Sequence, residues 1–263
     1  MISIRKPIRL EISWKVSSHL QFLKEKVYSK ALDFFFPQPC AYCEAKRVSG
    51  GPFLCAMCQE AIQFISPPYC YLCGIPANLS YEDSKEKFLC GPCRTTPLNF
   101  DKARSLGLHQ GVLRKLIHEL KYGMRPGVMK EIEPLLEIYF SNRRLNEFCV
   151  TPIPLHFKKL EQREFDQAYL IGEKIAKILD LTFLPEILER VVDTQSQASL
   201  KKTDRLKNIR GAFRSLNEEK IQNRDILLVD DVFTTGATLN EGAKILKQAK
   251  AKRVYAFSLA RAN

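Results

Sequence analysis

The stretch ILLVDDVFTTGAT, residues 226–238, carries the reading from which the fold follows. Its first four residues are apolar without a polar break, as in a parallel strand buried on both faces. The carboxyl end of that strand bears two adjacent acids, Asp230 and Asp231, and then Thr234, Thr235, Gly236, Ala237 and Thr238. Leu239, Ala243 and Leu246 follow at helical spacing, so the loop opens into the N-terminus of an amphipathic helix. A small-residue loop in that position offers backbone N–H donors and the positive end of a helix dipole to a phosphate. Threonine hydroxyls add donors, and Gly236 supplies either a positive φ or a close backbone approach. Two carboxylates beside such a loop would repel an anion, so they serve another group. A phosphosugar satisfies both demands: phosphate in the loop, and ribose hydroxyls donating to Asp230 and Asp231, with Mg²⁺ held through its water shell.

Outward from this unit, apolar and amphipathic segments alternate beyond about residue 100. They run ARSLGL, a helix around 111–121, FCVTPIP, a helix around 166–180, LTFL, a basic stretch at 200–214, DILLVDD, a helix from about 238, and RVYAFSLA. The alternation predicts an α/β domain over 101–263, a mostly parallel sheet with flanking helices. Towards the N-terminus, Val16, Leu20, Leu23, Val27, Ala31 and Phe34 form one helix face within residues 12–36. Lys15, Lys24, Lys26 and Lys30 stand off that face, so the helix either docks on the rest of the protein or rests on an anionic membrane surface. Residues 1–36 are read as this extension and helix.

Between them, residues 37–100 are rich in cysteine, proline and aromatics, with little periodicity. Eight of the nine cysteines form four CxxC pairs: Cys40 and Cys43, Cys55 and Cys58, Cys70 and Cys73, Cys90 and Cys93. Two residues between thiolates present both sulfurs to one ion, and tetrahedral Zn²⁺ takes four, so the set predicts two closed structural zinc sites. Sequential pairing is the simplest assignment, and crossed ligation has the same spacing. A redox CxxC normally stands alone beside a βαβ unit, which four tandem copies do not resemble. The ninth, Cys149, lies in a strand candidate as a small core residue.

With 263 residues, 45% hydrophobic and 27% charged, the composition is that of a folded globular chain. No run of 18 apolar residues and no signal-like start is evident, which predicts a cytoplasmic protein and favours metal over disulfides for the cysteines. The net charge is +12. Residues 1–39 carry 7 bases and 3 acids, 40–100 carry 5 and 5, and 101–263 carry 29 and 21. An anionic partner is expected at the third of these segments rather than at the cysteines.

The motif at 226–238 resembles the 5-phosphoribosyl 1-pyrophosphate (PRPP) signature of type I phosphoribosyltransferases. The chain as a whole resembles the ComF family, in which a zinc module precedes a phosphoribosyltransferase-like domain. The resemblance runs from about Ala31 through FFFPQPCAYC, IHELKYG, PIPLH and TQSQASLKKTDRLKNIRGAF to SLAR. It implies that Asp230 and Asp231 are the catalytic residues and contact the ribose diol, while Thr234, Thr235, Gly236, Ala237 and Thr238 hold the 5-phosphate. It also implies that Pro152, Ile153, Pro154, Leu155 and His156 form the pyrophosphate loop, with Lys158, Lys159 and Arg163 close by, either engaged or solvated. Residues 190–214 resemble a lid, in which Gln197, Arg205 and Asn208 match family positions. One departure stands out: Glu164, Phe165, Asp166 and Gln167 replace the family's Gly, Phe, Asn, Gln. Two added carboxylates would weaken anion binding if they pointed inward, so they either face solvent or alter the chemistry.

The resemblance implies a ComF-type protein at the inner face of the membrane or free in the cytoplasm, binding PRPP with Mg²⁺ and assisting DNA uptake by handling single-stranded DNA. Two alternatives stay open. One is a phosphoribosyltransferase acting on an unidentified base or amine. The other is an adaptor docking a DNA-translocating ATPase or helicase, its phosphosugar site residual.

Overall fold

The computed structural model describes residues 39–40, 42–45, 54–77, 87–123, 125–163, 165–193 and 209–262. The expected helix at 12–36 lies outside the described residues, as do Glu164, Gln197, Lys201, Lys202, Arg205, Lys207 and Asn208. The chain divides into two compact units, residues 1–58 and 59–263. The elements, in chain order, are α1 (Ala56–Glu60), α2 (Gly91–Thr95), β1 (Lys102–Leu108), α3 (Gly111–Tyr122), α4 (Met129–Phe140), β2 (Phe148–Pro152), α5 (Phe157–Arg163), α6 (Gln167–Leu179), β3 (Thr182–Phe183), β4 (Leu188–Arg190), β5 (Phe213–Ser215), β6 (Asp225–Phe233), α7 (Ala237–Gln248) and β7 (Arg253–Arg261).

Five strands form one sheet in the order β1-β7-β6-β2-β3, and every neighbouring pair is parallel. Ile226, Leu227, Leu228 and Val229 in β6 are at most 3% exposed, which is why this run is continuously apolar. The crossovers from β1 to β2, from β2 to β3 and from β6 to β7 carry helix, and α6 packs on β2 and β6 while α7 packs on β6 and β7. Buried side chains of α3 (Val112, Leu113, Leu116, Ile117 and Leu120) give it one apolar stripe. β4 and β5 pair antiparallel as a separate ribbon, setting Arg190 opposite Phe213.

The helix α4 is absent from the sequence reading. Pro134 sits in its interior, where a missing N–H and a ring clash normally end a helix. Here Ile132, Leu135, Leu136, Tyr139 and Phe140 are buried, and that burial outweighs the lost backbone bond. The sheet ends converge usefully: Ile153 N donates to Val229 O at 2.7 Å, so the chain leaving β2 runs beside the diacid end of β6.

Candidate functional site

Two cysteine tetrads are assembled, Cys40, Cys43, Cys55 and Cys58 in the first unit and Cys70, Cys73, Cys90 and Cys93 in the second. Pairing is therefore sequential. Within each set the sulfurs lie within 4.8 Å of one another. The Cys43–Cys55 and Cys73–Cys90 Sγ pairs stand 3.7 Å apart. Four thiolates at about 2.3 Å from a tetrahedral ion would stand roughly 3.8 Å apart, whereas a disulfide would need about 2.05 Å. The tetrads thus fit structural zinc.

Both knuckles are built alike. Cys40 N donates to Ala45 O at 2.9 Å and Cys70 N to Ile75 O at 2.8 Å. The turn passes through a left-handed residue each time, Glu44 at φ 60° and Gly74 at φ 72°. Glycine is required at the second, since a Cβ there would fall 2.7 Å from Ala103 O. A sulfur in each set also accepts a backbone N–H across the site, Cys55 N to Cys40 Sγ and Cys90 N to Cys70 Sγ, both at 3.4 Å.

At the carboxyl ends of β2 and β6 the second unit opens a cleft of about 590 Å³. This is where an open parallel sheet receives ligands. Of the residues singled out in the sequence, Asp230, Asp231, Thr234, Thr238, Ile153, Leu155, Lys159, Arg163 and Asp166 line it. Pro152 ends β2 in the interior, and Thr235 Oγ1 accepts from Ala237 N at 3.3 Å, shaping the turn into α7. His156 is only 5% exposed, and its Nδ1 lies 3.7 Å from Asp193 Oδ1. Lys158 is exposed.

Gly236 adopts φ 75°, and a Cβ there would stand 2.4 Å from the Phe233 ring. Both the sign of φ and the aromatic beneath it demand glycine.

The two acids differ in their partners. Asp231 Oδ2 pairs with Lys121 Nζ at 2.8 Å. Burial alone would lower the Lys121 pKa, but the Asp231 carboxylate outweighs it and holds the ammonium above the ordinary lysine value. Asp230 Oδ1 accepts from Asp231 N at 2.8 Å. Burial, and then the neighbouring Asp231 charge, push the Asp230 carboxyl up to about 8.

Asp166 faces this cleft rather than solvent, and its carboxylate is engaged. Oδ2 accepts from Leu155 N at 2.9 Å and Oδ1 from Tyr169 N at 3.1 Å, so it caps α6 and ties the 152–156 loop to that cap. Burial raises its pKa, opposed by these backbone donors.

Lys159, Arg163 and Arg190 also line the cleft, near enough for their charges to interact. Burial, and then Arg190, depress the Lys159 pKa, with Asp193 opposing them. The sequence reading missed the wall formed by His109 and the α3 residues Arg114, His118, Lys121 and Tyr122. Their spacing, at i, i+4, i+7 and i+8 from Arg114, was the available signal for one polar helix face. Tyr122 is 53% exposed, with the Arg163 guanidinium 5.3 Å from its ring centroid. Burial, and then Lys121 and Arg114, lower the His109 pKa and keep its imidazole neutral at pH 7.

Comparison with known proteins matches residues 31–94 to the double zinc ribbon domain and residues 166–263 to the phosphoribosyl transferase domain. Competence protein F of Haemophilus influenzae is 30% identical over 234 residues, spanning 87% of this chain and 99% of its own. The DNA utilization protein YhgH of Escherichia coli is 27% identical over 230 residues, spanning 86% and 97%. Among solved structures, the allosteric regulatory enzyme of purine biosynthesis overlaps 53% of this chain and 29% of its own, at 16% identity and a TM-score of 0.37. No described helix is long and apolar enough to cross a membrane.

Proposed function

The chain belongs to the ComF family, that of competence protein F, and from that premise we propose that it binds PRPP with Mg²⁺ and assists DNA uptake by handling single-stranded DNA. The observation that carries the ligand is the pairing of a diacid with an anion-ready surround in one cleft. Thr234 and Thr238 stand at the N-terminus of α7, which suits a phosphate. Lys159, Arg163 and Arg190 suit a second anionic group, the pyrophosphate. Asp230 and Asp231 are left for the ribose hydroxyls. A phosphate alone would give the acids no role, and a neutral sugar would give the bases none.

Mg²⁺ would be held by Asp230 and Asp231 through oxygen ligands, neutralising charge between the pyrophosphate and the acids. The Lys121 ammonium serves part of that purpose beforehand, screening Asp231. Asp166 positions the 152–156 loop by taking the Leu155 N–H, which leaves one fewer backbone donor for an anion there. An asparagine Oδ1 could accept that N–H as well, so what the departure from Asn to Asp adds is a second accepting oxygen, the one that takes the Tyr169 N–H.

A transferase reading draws on His109, whose neutral imidazole can accept a proton from an incoming nucleophile. Displacement of pyrophosphate at the anomeric carbon would then be the reaction. Calorimetric titration with PRPP and Mg²⁺ tests the binding, and an acceptor screen for pyrophosphate release tests transfer. Saturable heat that disappears in the Asp230→Asn, Asp231→Asn protein supports the reading. No heat at millimolar PRPP leaves the adaptor role.

A further inference from the structure

Arg261 ends β7, yet the residue is only 6% exposed. Its Nη1 donates to the Cys73 carbonyl at 2.6 Å and its Nη2 to Cys73 Sγ at 3.5 Å. Among the described residues it forms no ion pair with a carboxylate. A buried cation without a counter-charge is strongly unfavourable, and four thiolates around Zn²⁺ carry a net charge of about −2, which is the counter-charge its surroundings offer.

The other face of the guanidinium lies 4.2 Å from the centroid of Phe233. That is the ring directly beneath Gly236, the N-cap of α7. The phosphate loop therefore rests on Phe233, Phe233 on Arg261, and Arg261 on a ligand of the second tetrad. A parallel path leaves the same tetrad after Cys93. Phe100 meets Phe233 edge-on at 6.2 Å, Asn99 N donates to Asn240 Oδ1 at 2.7 Å, and Asn240 N donates to Gly236 O at 2.8 Å. Cys70, Cys73, Phe100, Phe233, Ala237 and Leu239 belong to one contiguous buried cluster.

We propose that Arg261 is a positioning residue coupling the second zinc site to the phosphate loop, so that zinc at Cys70, Cys73, Cys90 and Cys93 orders the loop and an anion in the loop tightens zinc. Losing the metal removes the counter-charge of Arg261, and the support of Phe233 goes with it. Coupling between two binding events is reciprocal, so each ligand changes the other's affinity by the same factor. The anion arm of this inference rests on the phosphosugar reading; the arm from zinc to loop order does not.

The test uses the full chain. Amide hydrogen exchange across residues 232–240 is compared in zinc-loaded protein, in protein stripped by a chelator, and in Arg261→Met and Arg261→Lys at full zinc content. Stripping should speed exchange about ten-fold, within the range usual for coupled sites. Arg261→Met should do the same with both zincs still bound. Arg261→Lys should restore part of the protection, because it keeps a cation and a donor to Cys73 O. PRPP should raise the chelator concentration that removes the second zinc in the wild type and leave it unchanged in Arg261→Met. Unchanged exchange in zinc-replete Arg261→Met overturns the coupling. Should Arg261→Met fail to hold zinc, Arg261→Gln decides, since it keeps a donor to Cys73 O without the charge, and wild-type exchange there at full zinc content overturns the coupling equally. Wild-type protein that binds PRPP by calorimetry yet shows no PRPP effect on zinc retention overturns the reciprocal coupling, whereas no calorimetric binding refutes the phosphosugar reading and leaves the arm from zinc to loop order standing.

Discussion

At Asp230 the fold holds a carboxyl where neither burial nor its neighbour Asp231 favours ionisation. Its folded pKa, about 8, stands well above the value near 3.9 expected of an unfolded aspartate. Between those limits the folded state binds more protons than the unfolded state, so this residue's contribution to stability falls as pH rises from about 4 to about 8. Asp230→Asn removes that penalty. The variant should therefore melt above the wild type, by a margin that widens from pH 5 to pH 8, each kcal/mol shifting Tm by roughly 2–4 °C in a unit of this size. A margin independent of pH in thermal melts would show that Asp230 is ionised throughout. The same substitution should weaken PRPP, and wild-type affinity should climb between pH 6 and pH 8 as the acceptor carboxylate forms. Burial raises the pKa of the Asp166 carboxyl as well, but its oxygens are taken by backbone donors. Its residue type reads as a liability beside an anion, because sequence shows the charge and not the two N–H groups of Leu155 and Tyr169 that occupy it. Asp166→Ala should cost about 1 kcal/mol in chemical denaturation, the usual price of a lost helix cap.

Among the elements, β6, α7 and their loop were legible because one local pattern specified all three. An apolar run, two acids, small residues and a helical stripe follow one another without a break. The reason for Gly236 was only half legible: a positive φ can be read from glycine, but Phe233 beneath it requires the packed structure. Gly236→Val should lose on both counts, about 1–2 kcal/mol for the left-handed backbone and more for the clash, measured as a lowered denaturation midpoint. A midpoint within error of wild type would mean that Phe233 swings aside. Elsewhere the sequence was mute for identifiable reasons. The polar face of α3 carries Arg114, His118, Lys121 and Tyr122 into the cleft, yet such a face has the same spacing when it meets only water. α4 was hidden by Pro134, and its existence depends on burial contributed by distant parts of the chain. Knuckle pairing was open because CxxC spacing is identical for sequential and crossed ligation, and only the assembled sulfurs distinguish them.

Over the whole molecule, metal and charge lie in different places. Elemental analysis of purified protein should find two Zn²⁺ per chain, and Cys55→Ser or Cys90→Ser should each remove one, since each tetrad needs all four thiolates. A content of one would remove a tetrad from the structural account. The excess of bases over acids falls at residues 101–263 and vanishes over 40–100, and thiolates bound to zinc make the latter more negative still. Single-stranded DNA should therefore be held by the C-terminal residues and not by the knuckles. One basic stretch contains Lys201, Lys202, Arg205, Lys207, Arg210 and Arg214 against Asp204, although Arg214 is already paired with Glu189. Phe213 is the one aromatic within it and is 4% exposed, so stacking on bases contributes little and the phosphates must supply the affinity. Binding of a labelled oligonucleotide, followed by fluorescence anisotropy, should then fall steeply with salt, by roughly 0.7 log unit per log unit of salt for each phosphate neutralised. Changing Lys201, Lys202 and Lys207 together to Ala should flatten that slope by about 2, on the same scale. PRPP should compete with the oligonucleotide if this stretch also serves the phosphosugar, and leave it bound if the two sites are separate. A slope unchanged in the triple variant would move the DNA site to other bases of the chain, the lysines at residues 12–36 being next in line.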